Sequence, residues 1–448
     1  MVFSKPSLEL KVERSDPELI PPAKPTPYEF KNLSDIDDQE GLRFQIPGLL
    51  FFKQNELMEG KDPVEVIKQA IAEALVYYYP LAGRSREGPN RKLVVECTGE
   101  GLMFIEATAN FTIEQFGESL VPPFAGLDQL LYDVPGTSDV IDCPLLLIQV
   151  TRLACGGFTF ASRLNHTLSD AAGLVQFMKA VGELARGEAT LSLEPVWNRE
   201  LMSARDPPRV TCFHHKCDQM PPPDGIPMPI VEMSDQAFFF GPQEVAALRK
   251  CLPTDLSKST SFEIISACIW RCRTIALDLD PSSEMRLLCT INARGKLKLP
   301  AGYYGNGFVF SIAVAEAGKI CENPFGYTLE LVKKAKNDVT EEYVRSFVDL
   351  MVINGRPHVA AVEGSYLISD VSRLGFLEID FGWGKPIYGG PAKVDVGAVP
   401  GVATFYIQKK NNKGEDGLVA PMRLPTSAME SFVVELDKMI GVPEISVI

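Results

Sequence analysis

The sequence contains few histidines and no long apolar run. It has only four histidines and three tryptophans among 448 residues. No uncharged apolar stretch approaches the roughly 18 residues that a membrane-spanning helix needs. The opening residues, MVFSKPSLELKVERSDPEL, carry charges every few positions and lack an apolar core. We therefore expect neither a membrane span nor a secretory signal peptide.

Positive charge is also in deficit. The chain has 44 lysines and arginines against 58 aspartates and glutamates, a formal net charge of −14. Nucleic acids and anionic membranes attract basic surfaces, so we expect neither as a partner. One stretch, residues 285–315, has no acidic residue but contains four basic ones, Arg286, Arg294, Lys296 and Lys298. It suits phosphate binding, and it equally suits a basic loop that faces acidic neighbours.

The ten cysteines follow no framework spacing. This pattern indicates reduced, buried thiols, so we predict a cytoplasmic protein. The most metal-like stretch is CFHHKC, which holds Cys212, His214, His215 and Cys217. Zinc sites usually draw pairs of ligands from two separate segments, whereas these residues lie in one proline-rich stretch. We therefore interpret them as surface polar residues and predict no metal site.

Signatures of several enzyme classes are missing as well. The sequence has no P-loop, no G-x-S-x-G elbow, no H-E-x-x-H pair and no G-x-G-x-x-G after a strand. What is present is an alternation of strands and amphipathic helices. The stretch DPVEVIKQAIAEALVYYYPLAG (62–83) predicts a helix capped by Asp62, with Pro63 in its first turn. A second helix is predicted over TSFEIISACIWRCRTIA (260–276), where Thr260 and a glutamate three residues later form a capping box.

The chain is too long for one ordinary core, and the length indicates two or three domains. A proline-dense stretch without helical or strand periodicity separates two α/β patterns. We predict a first domain over residues 1–195, a crossover over residues 196–230 and a second domain over residues 231–448. Each half is expected to be a mixed β-sheet with flanking helices, an α/β (α+β) class.

The candidate for chemistry is His166, in the segment LNHTLSDAAG (164–173). The period changes here from strand to helix, so His166 lies at a strand end and Asp170 near a helix N-terminus. Histidine titrates near neutral pH and suits a general base. A histidine in this place is nevertheless more often structural. Asp170 is compatible with orienting the imidazole, with capping the helix or with pairing to an arginine.

A second candidate is the segment LEIDFGWGKP (377–386). Its glycines, Gly382 and Gly384, flank Trp383 shortly after Asp380. Glycines around an aromatic residue suit a tight turn where the backbone packs closely. We interpret the segment as a structural turn.

Together the two segments resemble the signature motifs of the plant BAHD acyl-CoA-dependent acyltransferases. Further landmarks of that family stand in the family's order: YYPLAGR (78–84), TSFE (260–263), NARGKLKLPAGYYGNGF (292–308) and SRLGFLEIDFGWGKP (372–386). The chain departs from the family's common pattern at two positions. Ala171 stands where glycine is frequent, and Asn292 stands where many members have aspartate. Neither change removes a reactive group.

The resemblance implies two domains similar to chloramphenicol acetyltransferase, with a channel between them. Acyl-CoA, a co-substrate, would enter from one side and a small alcohol from the other, with no other cofactor. His166 would act as general base, and Asp170 would pair with Arg294 as a structural brace. Asp380, Gly382, Trp383 and Gly384 would form a structural turn near the CoA entrance. The resemblance also implies CoA contacts from four residues, Thr260, Ser261, Ser369 and Asp370, and a monomer.

The segments PAKPTP (22–27) and LSDIDDQEGLRFQIP (33–47) resemble the alcohol-acyltransferase branch that includes benzyl alcohol O-benzoyltransferases. This favours an aromatic acyl donor such as benzoyl-CoA, while acetyl-CoA stays an alternative. Two other function classes stay open. One is an amide-forming, condensation-domain-like enzyme, which usually has a second histidine where Asn165 stands. The other is a catalytically silent binding member of the fold.

Overall fold

The computed structural model describes residues 10–116, 120–137, 139–215, 232–356, 364–394, 401–411 and 413–441. Three β-sheets and their flanking helices form this part of the chain. The strands are β1 Val12–Arg14, β2 Glu18–Ile20, β3 Phe30–Asn32, β4 Gln45–Phe52, β5 Arg84–Glu87, β6 Leu93–Glu96, β7 Leu102–Ala109, β8 Leu146–Arg152, β9 Phe158–Asn165, β10 Met233–Phe240, β11 Glu284–Asn292, β12 Phe308–Glu316, β13 Ser365–Asp370, β14 Tyr388–Pro391, β15 Ala403–Lys410 and β16 Asp416–Pro425.

The helices lie mostly between these strands in the sequence. They are α1 Pro63–Tyr77, α2 Leu127–Leu130, α3 Ala171–Ala185, α4 Pro242–Lys250, α5 Ser261–Leu277, α6 Ala317–Glu322, α7 Phe325–Asp338, α8 Glu341–Ile353 and α9 Thr426–Ile440. None of these helices has the length and apolar character to cross a membrane.

The two large sheets are both mixed. The first has the order β1-β7-β8-β9-β4-β14, with β2 also on β7, and its β7–β8 pair is parallel. The second has the order β10-β16-β15-β13-β11-β12, with β13 parallel to both neighbours. Helices α1 and α3 pack together in the first core, and α5, α7 and α9 in the second. This arrangement confirms the predicted fold class of mixed sheets with flanking helices.

The predicted helices form where their caps indicate. The Asp62 side chain accepts a hydrogen bond from the backbone N–H of Val64 at the start of α1. The α5 capping box is present, because the Thr260 hydroxyl accepts from the Glu263 N–H while the Glu263 carboxylate accepts from the Thr260 N–H. Buried residues of both helices recur at helical spacing, as the sequence periodicity predicted.

One strand of the first sheet comes from late in the chain. Strand β14 pairs antiparallel with β4, which places Tyr388 opposite Phe51. The residues just before it, including Phe381 and Trp383, belong to the first hydrophobic core. The division of the chain at residues 196–230 stays a prediction. It assigned the segment that ends in β14 to the second domain. The structure has the segment on the first sheet, because its aromatic side chains bury their apolar surface there.

Candidate active site

His166 follows the last residue of β9 and precedes α3 by five positions. Its backbone N–H donates to the carbonyl of Phe44 (2.9 Å), which ties the loop to the start of β4. The residue is 9% exposed, and its Nδ1 is buried without a hydrogen-bond partner among the described residues. A strand end and a helix start therefore hold the imidazole from both sides.

The surroundings of His166 favour the neutral imidazole. Burial lowers the pKa of His166 below its ordinary value of 6.5. The nearby carbonyl of His166 itself, the Asp170 carboxylate and the Asn306 side chain oppose this effect without reversing it. At neutral pH the ring is unprotonated, which is the state that a general base requires.

Asp170 faces Arg294 rather than the imidazole. Both oxygens of the carboxylate accept from the guanidinium, Nη1 to Oδ2 and Nη2 to Oδ1, each at 2.8 Å. The remaining lone pairs accept from the backbone N–H of Gly173 (3.1 Å) and of Gly307 (3.0 Å). Burial alone would raise the pKa of Asp170, but Arg294 and the two N–H groups outweigh it and lower the pKa. Asp170 caps α3 and joins it to Arg294.

Removing either partner of this pair should lower stability. Asp170→Asn and Arg294→Met are each expected to cost about 3 kcal/mol, the lower end for a broken buried pair, because 21% of the Arg294 side chain is exposed. The double variant should cost less than the sum of the single costs. Denaturant unfolding of the four proteins measures this coupling. An additive cycle would contradict the brace and return Asp170 to the role of a triad member.

Three further hydrogen bonds to other segments hold the loop 166–170. The Ser169 hydroxyl donates to the Tyr304 carbonyl (2.6 Å), and the Asn306 amide donates to the His166 carbonyl (2.8 Å). Arg199 donates to the Leu168 carbonyl (2.8 Å). They add to the bond from the Gly307 N–H to Asp170. The segment 303–307 thus contacts the loop directly. In the sequence, this segment was visible only as a family landmark.

The turn at 380–384 is built around one carboxylate oxygen. Asp380 Oδ1 accepts from the backbone N–H of Gly382 (2.7 Å) and of Gly384 (2.8 Å). Both glycines have positive φ, 107° and 84°, a region that disfavours residues with a side chain. The Asp380 carbonyl accepts from Arg186, and α3 approaches it so closely that a Cβ on Gly182 would lie 2.5 Å from that oxygen.

The turn supports the strand that leads to His166. Phe381 stacks on Phe160 with ring centroids 5.1 Å apart, and Trp383 meets Phe158 edge-on at 5.4 Å. Both partners lie on β9. The second motif therefore contacts the first through strand β9 and helix α3. Within the described ranges, neither Asp380 nor Trp383 forms a hydrogen bond or a ring contact with His166 itself.

The four residues assigned to CoA contacts lie at the start of α5 and at the end of β13, and both elements contact Tyr406. Asp370 is the register partner of Tyr406, and Ser369 at the end of β13 accepts from Thr290 (3.0 Å). On α5, Ser266 shares a hydrogen bond with the Tyr406 hydroxyl (3.1 Å). Thr260 and Ser261 open that helix. Helix α5 and the end of β13 thus share Tyr406 as a neighbour.

The described part of the CFHHKC segment, residues 212–215, is partly buried rather than a plain surface stretch. His214 Nε2 lies 2.9 Å from the Ser346 hydroxyl, and its ring packs on Tyr343 at 4.5 Å. Burial lowers the pKa of His214 to about 4. Cys217 lies outside the described residues. Within the described ranges, no group of three or more histidine, cysteine or acidic side chains has an arrangement that could hold a metal.

Two phenylalanine rings flank the imidazole of His166. The Phe44 ring centroid lies 5.3 Å away, and the Phe308 centroid lies 6.2 Å away. Both residues are half-buried. Phe44 directly precedes β4 of the first sheet, and Phe308 begins β12 of the second sheet, so the two rings come from different halves of the chain. The sequence offered no local signal for this pair, because the residues are 264 positions apart.

The chain is similar to proteins of one family along nearly its whole length. Residues 10–439 match the model of the Transferase family. A benzyl alcohol O-benzoyltransferase from Petunia hybrida is 61% identical over 441 residues, covering 98% of this chain and 96% of that protein. Alcohol acyl transferase 1 (allele GSa) from Malus domestica is 51% identical over 448 residues, with 98% and 96% covered. The crystal structure of vinorine synthase superimposes with a TM-score of 0.73 at 23% identity, covering 96% of this chain and 98% of that one.

Proposed function

Because this chain belongs to the Transferase family, the BAHD acyltransferases, we propose that it transfers an aromatic acyl group, with benzoyl favoured, to a small alcohol. The general activity is that of an acyl-CoA-dependent O-acyltransferase, which forms an ester and free CoA. The relatives named benzyl alcohol O-benzoyltransferase support the aromatic donor. The observation that carries the mechanism is the buried imidazole of His166 between two aromatic rings, where burial lowers its pKa.

In the proposed mechanism, His166 acts as the general base through Nε2, since its Nδ1 is buried. It removes the proton from the alcohol hydroxyl while the oxygen attacks the thioester carbonyl carbon. The tetrahedral adduct then collapses with cleavage of the carbon–sulfur bond. The imidazolium returns its proton to the departing thiolate, so free CoA leaves and the ring is neutral again. No covalent enzyme intermediate and no cofactor take part.

The other site residues have supporting roles in this proposal. The Asp170–Arg294 pair fixes the start of α3, and the turn at 380–384 supports β9 and α3. Thr260, Ser261, Ser369 and Asp370 contact CoA at the end of a channel that lies between the two halves. We also propose that the protein acts as a cytoplasmic monomer, in agreement with free thiols at all nine cysteines in the described ranges.

Phe308 lies on the side of the site from which acyl-CoA enters in this proposal. Its strand, β12, pairs with β11, and Thr290 of β11 bonds to Ser369. We therefore assign the aromatic acyl group to the Phe308 ring and the alcohol to the Phe44 ring.

Phe308→Ala should weaken the preference for an aromatic donor. Loss of one aromatic pair and its buried area is worth about 1–2 kcal/mol, so the ratio of kcat/KM for benzoyl-CoA to that for acetyl-CoA should fall by about tenfold. Phe44→Ala is the matched control, and it should change selectivity among alcohols more than this donor ratio. A donor ratio that moves only in Phe44→Ala would reverse the assignment.

A CoA-release screen tests the function as a whole. Purified protein is incubated with benzoyl-CoA, acetyl-CoA and a few other acyl-CoAs against a panel of alcohols and amines. The proposal requires fastest release with benzoyl-CoA and a small alcohol, together with detection of the ester. Faster reaction with amines would favour the condensation-like alternative, and absence of turnover with every pair would favour a silent binding member.

A further inference from the structure

A loop rich in acidic residues connects the Phe44 side of the site to the second sheet. Residues 34–43 directly precede Phe44, whose ring lies 5.3 Å from that of His166 and whose carbonyl accepts from the His166 N–H. Ile36 in this loop is completely buried in a hydrophobic cluster with side chains of β12 and α8. A group that fixes the loop therefore also fixes the ring that we assign to the alcohol.

One completely buried carboxylate in this loop, that of Asp38, binds cations from two distant parts of the chain. Its Oδ1 accepts from Arg43 Nη2 (3.2 Å) and from the Leu93 N–H (3.3 Å). Its Oδ2 accepts from Arg356, which follows helix α8. Both arginines also donate to one backbone carbonyl, that of Arg91. Two guanidinium groups thus share the same two acceptors.

The two arginines depend on Asp38 to different degrees. The Arg43 side chain is 7% exposed and has two further carboxylates nearby, Glu87 at 2.6 Å and Glu40 at 3.6 Å. Arg356 has no carboxylate partner other than Asp38 in the described part of the chain. Like charges repel each other, and loss of one partner from a buried ion pair leaves the other uncompensated. Asp38 is therefore the group that keeps Arg356 against the loop.

We propose that Asp38 is a positioning residue that sets the place of the Phe44 ring, and with it the size of the alcohol that the site accepts. Arg356 completes this arrangement, since it ties Asp38 to the end of α8. The inference rests on the proposed function, because it places the alcohol against Phe44. Among the described residues, neither Asp38 nor Arg356 forms a hydrogen bond with His166, so both act through Phe44.

Arg356→Met tests this role with little disturbance of the fold. In this variant Asp38 keeps three donors, namely Arg43, the Leu93 N–H and Lys92 at 3.6 Å. With the loop released from α8, the site should admit larger alcohols. We expect the ratio of kcat/KM for benzyl alcohol to that for the bulkier naphthylmethanol to fall by about tenfold, the lower end for a small change in an apolar pocket.

This ratio separates positioning from general stability. Two kcat/KM values measured on one preparation depend equally on the fraction of folded protein, so their ratio does not change with stability. Arg356→Lys keeps the charge and should recover part of the loss. Arg345→Met is the matched control on the same helix, where Arg345 pairs with Glu341 at 2.9 Å, and it should keep the parent ratio. An unchanged ratio in Arg356→Met, or an equal change in Arg345→Met, would overturn the proposal.

A measurement without turnover distinguishes failure of this inference from failure of the proposed function. The full-length proteins are labelled with ¹³C-histidine, and the Cε1–H resonance of His166 is assigned by its loss in His166→Ala, since the chain has only four histidines. This resonance reports the aromatic rings beside the imidazole. Well above the pKa of His166, Arg356→Met and Asp38→Asn should both shift it, whereas Arg345→Met should not.

The outcomes of the two experiments are read together. A resonance that stays in place in Arg356→Met would overturn the positioning role, whether or not the parent protein transfers an acyl group. If Asp38→Asn does not fold, Arg356→Met alone decides. A shifted resonance in a protein that transfers no acyl group would support the positioning of Phe44 and reject the proposed function.

Discussion

His166→Ala is expected to lower kcat/KM by about 10²- to 10⁴-fold, the usual contribution of a general base. Folding should survive, because the loop is held by the backbone of residue 166 through Phe44 and Asn306, and these bonds do not need the ring. Steady-state rates with benzoyl-CoA and benzyl alcohol measure the loss, and a thermal melt beside them reports folding. Near-normal turnover in the folded variant would remove His166 from the mechanism.

The pH profile gives a second test of the same residue. Burial lowers the pKa of His166, so the acid limb of kcat/KM should lie below pH 6.5, the value of a free imidazole. The lowered pKa also makes the stability of the protein depend on pH. Between the folded and the unfolded pKa the unfolded chain binds the proton more readily, so the contribution of this residue to stability falls as the pH drops through that window. An acid limb above pH 6.5 would contradict a buried base.

Local sequence patterns were sufficient for the elements that carry the site. The change of period after His166 located both the end of β9 and the start of α3, since side-chain spacing follows the geometry of each element. Thr260 and Glu263 predicted the start of α5, and Asp62 that of α1, because caps satisfy backbone N–H groups through near neighbours. These features depend on residues within a few positions of one another.

Contacts between distant residues were not available from local patterns. Asp170 alone was compatible with three roles, and the choice of Arg294 came from family resemblance, across 124 positions of sequence. Asp37 and Asn306 are separated by 269 positions, and no spacing rule connects them. The pairing of β14 with the first sheet was missed for the same reason. The sequence of a four-residue strand does not indicate which sheet the strand joins.

The placement of the DFGWG turn also depends on such distant packing. As sequence, it indicated only a tight turn. In the structure, Trp383 is 7% exposed and packs on Phe158 of β9, within the first hydrophobic core. We therefore expect the turn to affect catalysis through the stability of the strand that leads to His166, rather than through contact with either substrate.

Trp383→Ala is accordingly expected to lower the free energy of unfolding by about 3–5 kcal/mol, the range for truncation of a buried tryptophan or phenylalanine. The whole free energy of unfolding of a native protein is only about 5–15 kcal/mol. Much of the activity should therefore be lost because less of the protein is folded. The folded fraction should keep its KM for acyl-CoA.

Phe213→Ala is the control for loss of an aromatic ring at an exposed site, since Phe213 is 78% exposed. Its free energy of unfolding should stay within about 0.5 kcal/mol of that of the parent. Thermal melting combined with acyl-CoA titration separates the outcomes. An unchanged melting temperature with a raised KM for acyl-CoA alone would show instead that the turn shapes the CoA entrance.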